Sequence, residues 1–367
     1  MRKTKGKPPD FIIFFTAIIL LGIGIVMVFS SSFYTATEIQ GDSYYFLKRQ
    51  VFWAFLGLLG MIFLANYDYW KIKKYIKFLL LINFILLLLV YVPGVGIEIN
   101  AARRWIGFGG MTIQPSEFTK IVLVIFTAAF LSKKNSELKN FWIGVFPPLV
   151  IMGVCFLLIL KQPDLGTAVA IAGTVLIILF TAGIEWKHIF ALVIPSVPAI
   201  GYLMLSEEYR RRRFFSFLDP WADRMDTGYH IIQSLYALGP GRLFGVGLGR
   251  SRQKFFYLPE PHSDFIFALI GEELGFIGAV TVILLFFLLI WRGFKLALMA
   301  PDVFGSLLAV GIVSMIALQV IINIGVVTGS IPVTGINLPF ISAGGSSLFF
   351  SLSSIGILLN ISKYVQY

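Results

Sequence analysis

Ten long apolar stretches leave this chain one kind of environment. They run at about 11–32, 51–67, 76–93, 113–131, 141–160, 165–183, 188–205, 263–291, 304–329 and 339–361. A helix needs roughly 20 apolar residues to cross a bilayer. The runs are continuous rather than alternating, which points to helices and not to the strands of a membrane barrel. A helix also satisfies its own backbone polar groups in lipid. The expected fold class is therefore all-α: a polytopic integral membrane protein with about ten transmembrane helices. Composition agrees, since 57% of the 367 residues are hydrophobic and only 13% are charged. Soluble domains carry roughly 25% charge, so a water-soluble enzyme is excluded. A disulfide scaffold is excluded by the single cysteine, Cys155. The first stretch is too long, and lacks the small-residue cleavage motif, for a removable signal peptide.

The scarce charges are sorted by side. The leading segment carries Arg2, Lys3, Lys5 and Lys7. Alternate loops carry Lys71, Lys73, Lys74 and Lys77, then Lys133, Lys134 and Lys139, then Lys187, then Arg292 and Lys295, and finally Lys363. The opposite short loops hold only Lys48, Arg49, Arg103, Arg104 and Lys161. The positive-inside rule then puts both termini in the cytoplasm, with an even number of spans. The net charge of +11 suits anionic head groups. No nucleic-acid partner is expected, because no basic stretch comes with a nucleic-acid-binding module. Residues 1–367 read as one membrane domain containing one large extracytoplasmic loop, 206–262, between spans seven and eight. That loop has nine basic and six acidic residues. Loops this long escape the positive-inside rule and are usually functional. No internal repeat of the transporter kind is visible.

A charge at membrane depth is costly, so each one is a functional hypothesis. Glu117 and Lys120 lie three apart on one helix face. They are either a structural ion pair or the wall of a polar cavity for a charged substrate. Asp164 is either the N-cap of the sixth span or a carboxylate facing that cavity. Asp264 lies where the large loop meets the eighth span. It is either an N-cap or, being partly desolvated there, a usable general base. His262 beside it reads as an interfacial histidine. Glu272 and Glu273 are adjacent, cannot share one helix face, and read as structural groups bonded to another helix. Three His and one Cys cannot build a zinc-type cluster, whereas a carboxylate-bound Mg²⁺ or Mn²⁺ is compatible with the carboxylates present.

Two features of the large loop stand out. Arg210 to Arg213 run into Phe214, Phe215 and Phe217. This is either an amphipathic segment on the outer head groups or a set of guanidiniums whose fork geometry suits a diphosphate. Gly239, Gly241, Gly245, Gly247 and Gly249 precede Arg250, Arg252 and Lys254. Without a strand before and a helix after in a soluble sheet, this is no nucleotide-binding loop. It reads as a tight loop that presents cations.

Several long motifs occur in one order along the chain. They include Arg103-Arg104-Trp105-Ile106-Gly107, Gln114-Pro115-Ser116-Glu117, Gln162-Pro163-Asp164-Leu165-Gly166-Thr167 and Ile231-Ile232-Gln233-Ser234-Leu235-Tyr236-Ala237. Further on come Gly249-Arg250-Ser251-Arg252-Gln253-Lys254, Tyr257-Leu258-Pro259-Glu260-Pro261-His262-Ser263-Asp264, Asn323-Ile324-Gly325 and Leu338-Pro339-Phe340-Ile341-Ser342-Ala343-Gly344-Gly345-Ser346-Ser347. With these the chain resembles the SEDS (shape, elongation, division and sporulation) family from first span to last, and the FtsW and SpoVE branch more than RodA. The resemblance implies a ten-helix peptidoglycan glycosyltransferase in the bacterial cytoplasmic membrane, acting on lipid II and a growing glycan strand. It implies work with a class B penicillin-binding protein, a transpeptidase, and with other membrane proteins of the division or elongation machinery. The family's catalytic aspartate falls on Asp264 and its cavity positions on Glu117, Lys120 and Asp164. The other motif positions expected at the substrate are Arg104, Gln162, Arg213, Gln233, Ser234, Arg252, Lys254, Glu260, His262, Ser263, Ser342 and Ser346. Three residues depart from the family pattern: Ala343 where Tyr is usual, Arg242 where Gly is common, and Ser263 where Thr is common.

The chemistry needs one base for an acceptor hydroxyl and positive charge for a departing diphosphate. Asp264 suits the first task. Lys120, the loop arginines or a divalent cation suit the second. The alternatives are a lipid II flippase and a non-catalytic scaffold. A flippase needs functional charges at mid-membrane or below, and a scaffold has little use for Glu117, Lys120, Asp164 and Asp264 at membrane depth.

Overall fold

The apolar stretches become helices. A computed structural model describes residues 7–99, 102–108, 111–134, 137–254, 258 and 261–365. The helices are α1 (Phe11–Gln40), α2 (Tyr45–Asn66), the single turn α3 (Tyr69–Ile72), α4 (Ile76–Leu89), α5 (Pro115–Lys133), α6 (Phe146–Lys161), α7 (Leu165–Thr181), α8 (Trp186–Ser206), α9 (Glu208–Leu218), α10 (Tyr229–Leu238), α11 (Ile266–Leu298), α12 (Val303–Val327) and α13 (Ser346–Ser362). Among the described residues, α1, α2, α5, α6 with the π-turn before it, α8, α11 and α12 are long and apolar enough to cross a membrane. The helices α7 and α13 are shorter but apolar.

Most of the membrane part is helical, although α11 is broken at Gly275 and residues 339–345 of the last apolar stretch precede α13 outside any helix. Outside it, residues just before α5 form a small antiparallel sheet of β1 (Gly96–Ile99), β2 (Ala102–Phe108) and β3 (Met111–Ile113), in that order. Ile106 pairs with Gly96 on one side and with Ile113 on the other. The large loop likewise holds two helices, α9 and α10.

Helix α12 sits at the centre. It is apolar all round and buried on most of its surface, as a helix surrounded by others must be. The pairs α11–α12, α5–α12, α7–α12 and α2–α13 pack side by side, and α1 leans on α11. Lipid offers no hydrophobic drive between helices, so small residues allow close approach. A β-carbon on Gly356 of α13 would lie 2.4 Å from the Met61 carbonyl of α2. Large apolar side chains such as Phe55, Phe63, Leu157, Ile194 and Phe287 point outward, as lipid-facing residues do. Helix α8 buries only His188 and packs against little besides α9. The two ends of the described residues meet on one face. The Lys7 amide donates to the Lys363 carbonyl at 3.0 Å, and Arg292 pairs with Asp10 at 2.7 Å.

Helix α11 is broken near one third of its length. Gly275 has φ 70° and ψ −168°, outside the helical region. The groups this break exposes are bonded by the glycine-rich loop. The Phe276 and Ile277 amides donate to the Arg242 and Leu243 carbonyls at 2.8 and 3.1 Å. The Val246 and Gly247 amides donate to the Glu272 and Glu273 carbonyls at 2.9 and 3.1 Å. In hydrocarbon each such group left alone costs several kcal/mol. The loop therefore enters the break as a fifth wheel of the helix ladder. Backbones approach so closely that a β-carbon on Gly245 would lie 2.1 Å from the Glu273 carbonyl.

Candidate functional site

Residues from both ends and the middle of the chain enclose one cavity of about 640 Å³. Asp264 lies on its wall, half-buried, just before α11. Phe265 occupies the N-cap position of α11 and no side chain caps that helix, so the capping role open to Asp264 is not taken up. Four arginines share the wall: Arg49 from α2, Arg104 from β2, and Arg212 and Arg213 from α9. Among the described lining residues, Asp264 and Asp226 oppose them with negative charge. The cavity is thus a cationic chamber with an aspartate on its wall, suited to an anionic substrate.

Each arginine is placed by local structure. Alternation along β2 sends Arg103 to the outside, where it pairs with Glu98 at 2.9 Å, and Arg104 to the cavity. Arg104 donates from Nε to the Gln162 carbonyl at 3.0 Å and from Nη2 to the Pro163 carbonyl. Those bonds tie the sheet to the turn between α6 and α7. On α9 the four-arginine run divides. Arg210 leans on Tyr209 and Glu207, Arg211 faces solvent, and Arg212 and Arg213 reach the cavity. Arg213 is open to the cavity yet surrounded by protein. Desolvation first, and then the charge of Arg104, hold its guanidinium below its usual range, while Tyr209, Asp264 and Asp164 pull the other way. An arginine stays protonated through such a shift.

Gly335 explains the open space at the carboxylate. Its φ is +74°, and a β-carbon there would lie 3.4 Å from Asp264 Oδ2 and 3.9 Å from Arg104 Nη1. Both groups therefore border the same gap, which a side chain would enter. The wall is completed by Gln114, Asn337, Ser346, Phe46, Trp53, Trp105 and others. The ring of His262 lies 4.2 Å from that of Phe46, and His230 stacks on Phe265.

The sequence-stated positions divide. Asp264, Arg104, Arg213, His262, Ser263 and Ser346 line the cavity. Ser346 Oγ also accepts from the Gln114 amide at 3.1 Å, joining the starts of α13 and α5. Asp164 is buried. It caps α7 by accepting from the Thr167 amide at 3.1 Å, and its other oxygen takes a 3.3 Å bond from Gln114, a cavity residue. Glu117 and Lys120 form a buried pair at 2.8 Å and are absent from the wall.

Others are turned to different tasks. Gln162 donates from its side chain to the Leu87 carbonyl, and Ser234 to the Val327 carbonyl at 2.7 Å. Ser342 donates to the Ser263 carbonyl at 2.7 Å. Gln233 and Arg252 do not reach the cavity wall, and Glu260 lies outside the described residues. Lys254 corrects the expectation of a loop that presents cations. It is buried, bonds the Gly249 carbonyl and pairs with Glu273 at 3.4 Å, because an inward lysine answers a carboxylate at membrane depth. Glu273 further accepts from Ser30 of α1, and Glu272 accepts from the Ser251 hydroxyl and the Arg252 amide. Arg49, Gln114, Trp53 and Asn337 are wall residues that sequence reasoning did not place at the substrate, whereas Arg212 belongs to the arginine run read as suited to a diphosphate. Arg49 carried a signal, as one of the few basic residues on the poorly charged side. Ala343 lines the cavity, so the usual family tyrosine would occupy that wall.

With this geometry in view, the likeness to known proteins is decisive. The family model FTSW_RODA_SPOVE, described as a cell cycle protein, matches residues 11–367. The chain belongs to the FtsW/RodA/SpoVE family. The SEDS resemblance read from the motifs is thereby borne out. Stage V sporulation protein E of Bacillus subtilis (strain 168) is 51% identical, over 99% of this chain and 100% of that one. A probable peptidoglycan glycosyltransferase FtsW of Geobacter sp. (strain M18) is 44% identical over 100% and 99%. Among solved structures, a chain from a peptidoglycan synthase complex superposes with a TM-score of 0.78 at 29% identity, covering 96% and 97% of the two chains. The rod shape determining protein RodA of Thermus thermophilus gives 0.72 at 28% identity, covering 98% of each. The FtsW/RodA/SpoVE fold thus extends over nearly the whole chain.

Proposed function

We propose that this FtsW/RodA/SpoVE protein is a peptidoglycan glycosyltransferase that polymerises lipid II at the outer face of the cytoplasmic membrane, with Asp264 as its general base. The observation that carries the reading is the placement of Asp264 on the wall of a cavity lined by Arg49, Arg104, Arg212 and Arg213. A lipid diphosphate is a good leaving group, so no protonating acid is needed, unlike in two-carboxylate glycosidases. Asp264 takes the proton of the GlcNAc 4-hydroxyl of one lipid II. That oxygen bonds to the MurNAc anomeric carbon of the growing strand as the bond to the diphosphate breaks, and the electron pair leaves with the diphosphate. A single in-line displacement inverts α to β. The arginines stabilise the charge that develops on the leaving group.

Among the described residues no three His, Cys, Asp or Glu side chains converge. A Mg²⁺ or Mn²⁺ bound at the Asp264 carboxylate would add charge stabilisation of the kind the arginines supply. The lysine-rich face, where the two ends of the described residues meet, is the cytoplasmic one. The ten spans read from the apolar stretches, an even number, fit that orientation and put the loop 206–262 on the opposite side. A solved relative sits in a peptidoglycan synthase complex, which supports a class B penicillin-binding protein as partner.

The test is polymerisation of purified lipid II in detergent, with and without the partner and with EDTA. Asp264→Ala and Asp264→Asn should make no glycan strands while keeping the thermal transition of the wild type. Turnover at the wild-type rate by the Asn variant would remove Asp264 from the role.

A further inference from the structure

The backbone that carries Asp264 is held at three consecutive carbonyls. The His262 carbonyl accepts from the Ala343 amide at 2.9 Å. The Ser263 carbonyl accepts from Ser342 Oγ at 2.7 Å, and that oxygen in turn accepts from the Leu338 amide at 2.8 Å. The Asp264 carbonyl accepts from Asn323 Nδ2 at 2.9 Å. The first two donors lie in the irregular segment between α12 and α13. The third comes from inside α12, the central helix.

Asn323 is the unusual member. It is buried at 1% exposure, and the same Nδ2 also donates to the Ile336 carbonyl at 2.8 Å. Both partners are carbonyl oxygens, so only the NH₂ end of the amide can face them. Its Oδ1 is buried and has no hydrogen-bond partner among the described residues. Two hydrogens of one group therefore join Asp264 to Ile336, the neighbour of Gly335. Gly335 in turn borders the gap shared by Asp264 Oδ2 and Arg104 Nη1. A polar side chain inside a membrane helix is expensive where an apolar one would pack. Here its whole donor capacity is spent on the spacing between the aspartate and the opposite wall.

We infer that Asn323 is a positioning residue for Asp264, setting the distance of the carboxylate from the Gly335 wall, with Ser342 as its helper one residue upstream. The inference rests on the assignment of Asp264 as the base. Asn323 does not line the cavity, so it acts through the backbone and not on substrate. A misplacement of about 1 Å at a reacting group costs on the order of 100-fold in rate, so loss of this bond shows in kcat.

The experiment measures kcat and KM for lipid II polymerisation, together with the thermal transition, for Asn323→Leu, Asn323→Ser, Ser342→Ala and Asp264→Asn. Leu removes both donors and keeps the branched heavy-atom outline of the side chain. Ser keeps one donor and covers the case in which Leu fails to fold. The expected result is kcat lowered about 10- to 100-fold in Leu and less in Ser, with KM within about threefold of wild type. Two results overturn the inference: a folded Leu or Ser variant with wild-type kcat, or a fall in activity that only follows the loss of folded protein. Asp264→Asn separates the two claims. If it turns over normally, the base assignment fails; if it is inactive while the Asn323 variants keep full kcat, only the positioning role fails.

Discussion

Lys254 and Glu273 pair at 3.4 Å across the mouth of the broken helix, both buried. One comes from the loop that enters the break and the other from the helix that is broken. Glu273 also holds Ser30 of α1. The pair thus joins three segments at a depth where a lone charge is not tolerated.

Removing one member of such a pair strands the other. Lys254→Met is expected to cost about 3–5 kcal/mol. Lys254→Met combined with Glu273→Gln should recover part of that loss, because no charge is left unpaired. Denaturant unfolding in a defined detergent measures both. Single and double variants of equal stability would show that the pair is not coupled.

The gap at Gly335 predicts a loss of rate. Gly335→Ala puts a methyl group 3.4 Å from Asp264 Oδ2 on a backbone of φ +74°. The strain costs about 1–2 kcal/mol. Polymerisation should fall by on the order of 10-fold or more in the protein that remains folded, because the carboxylate loses its approach space. Turnover normalised to folded protein is the measurement, and an unchanged value would show that the space is not used.

Arg242 stands where the family commonly has Gly, and its φ is +43°. Its carbonyl receives the Phe276 amide at the break of α11. Arg242→Gly relieves a left-handed backbone strain and should stabilise the protein by up to about 1 kcal/mol. A higher thermal midpoint with unchanged turnover is the expected outcome. A lower midpoint would mean that the arginine side chain contributes more than its backbone costs.

Glu117 and Lys120 lie 2.8 Å apart, are buried, and do not line the cavity. Glu117→Gln or Lys120→Met alone should cost about 3–5 kcal/mol. Replacing both with Leu should restore most of it. Stability is read from unfolding curves. Polymerisation by the folded double variant then tells whether the pair also meets substrate: a dead but stable double variant would place it there.

The helices were legible because their cause is local. A run of apolar residues near 20 long can be satisfied in lipid only as a helix, whatever its neighbours do. Hence α4, α5, α6, α7 and α8 begin within a few residues of the predicted starts. The strands β1, β2 and β3 were not legible, because they are short and their alternation is weak. Asp264, Arg104 and Arg213 were readable as motif residues. Arg49 and Asn337 were not placed with them, since nearly 300 residues of sequence separate the two.

Lys254 shows the limit most plainly. A lysine in a glycine-rich loop looks like a cation offered to substrate. Its direction was decided by Glu273, which only the broken helix brings within reach. Asn323 is a similar case, since nothing local marks which carbonyl it bonds. The sequence by itself determined that the chain lives in a bilayer, where its helices run and which acid stands at the edge of the large loop. Tertiary structure alone decided which polar groups meet. In a low-dielectric interior every charge and donor must find a partner, and that partner is chosen by packing across the bundle rather than by neighbours in the chain.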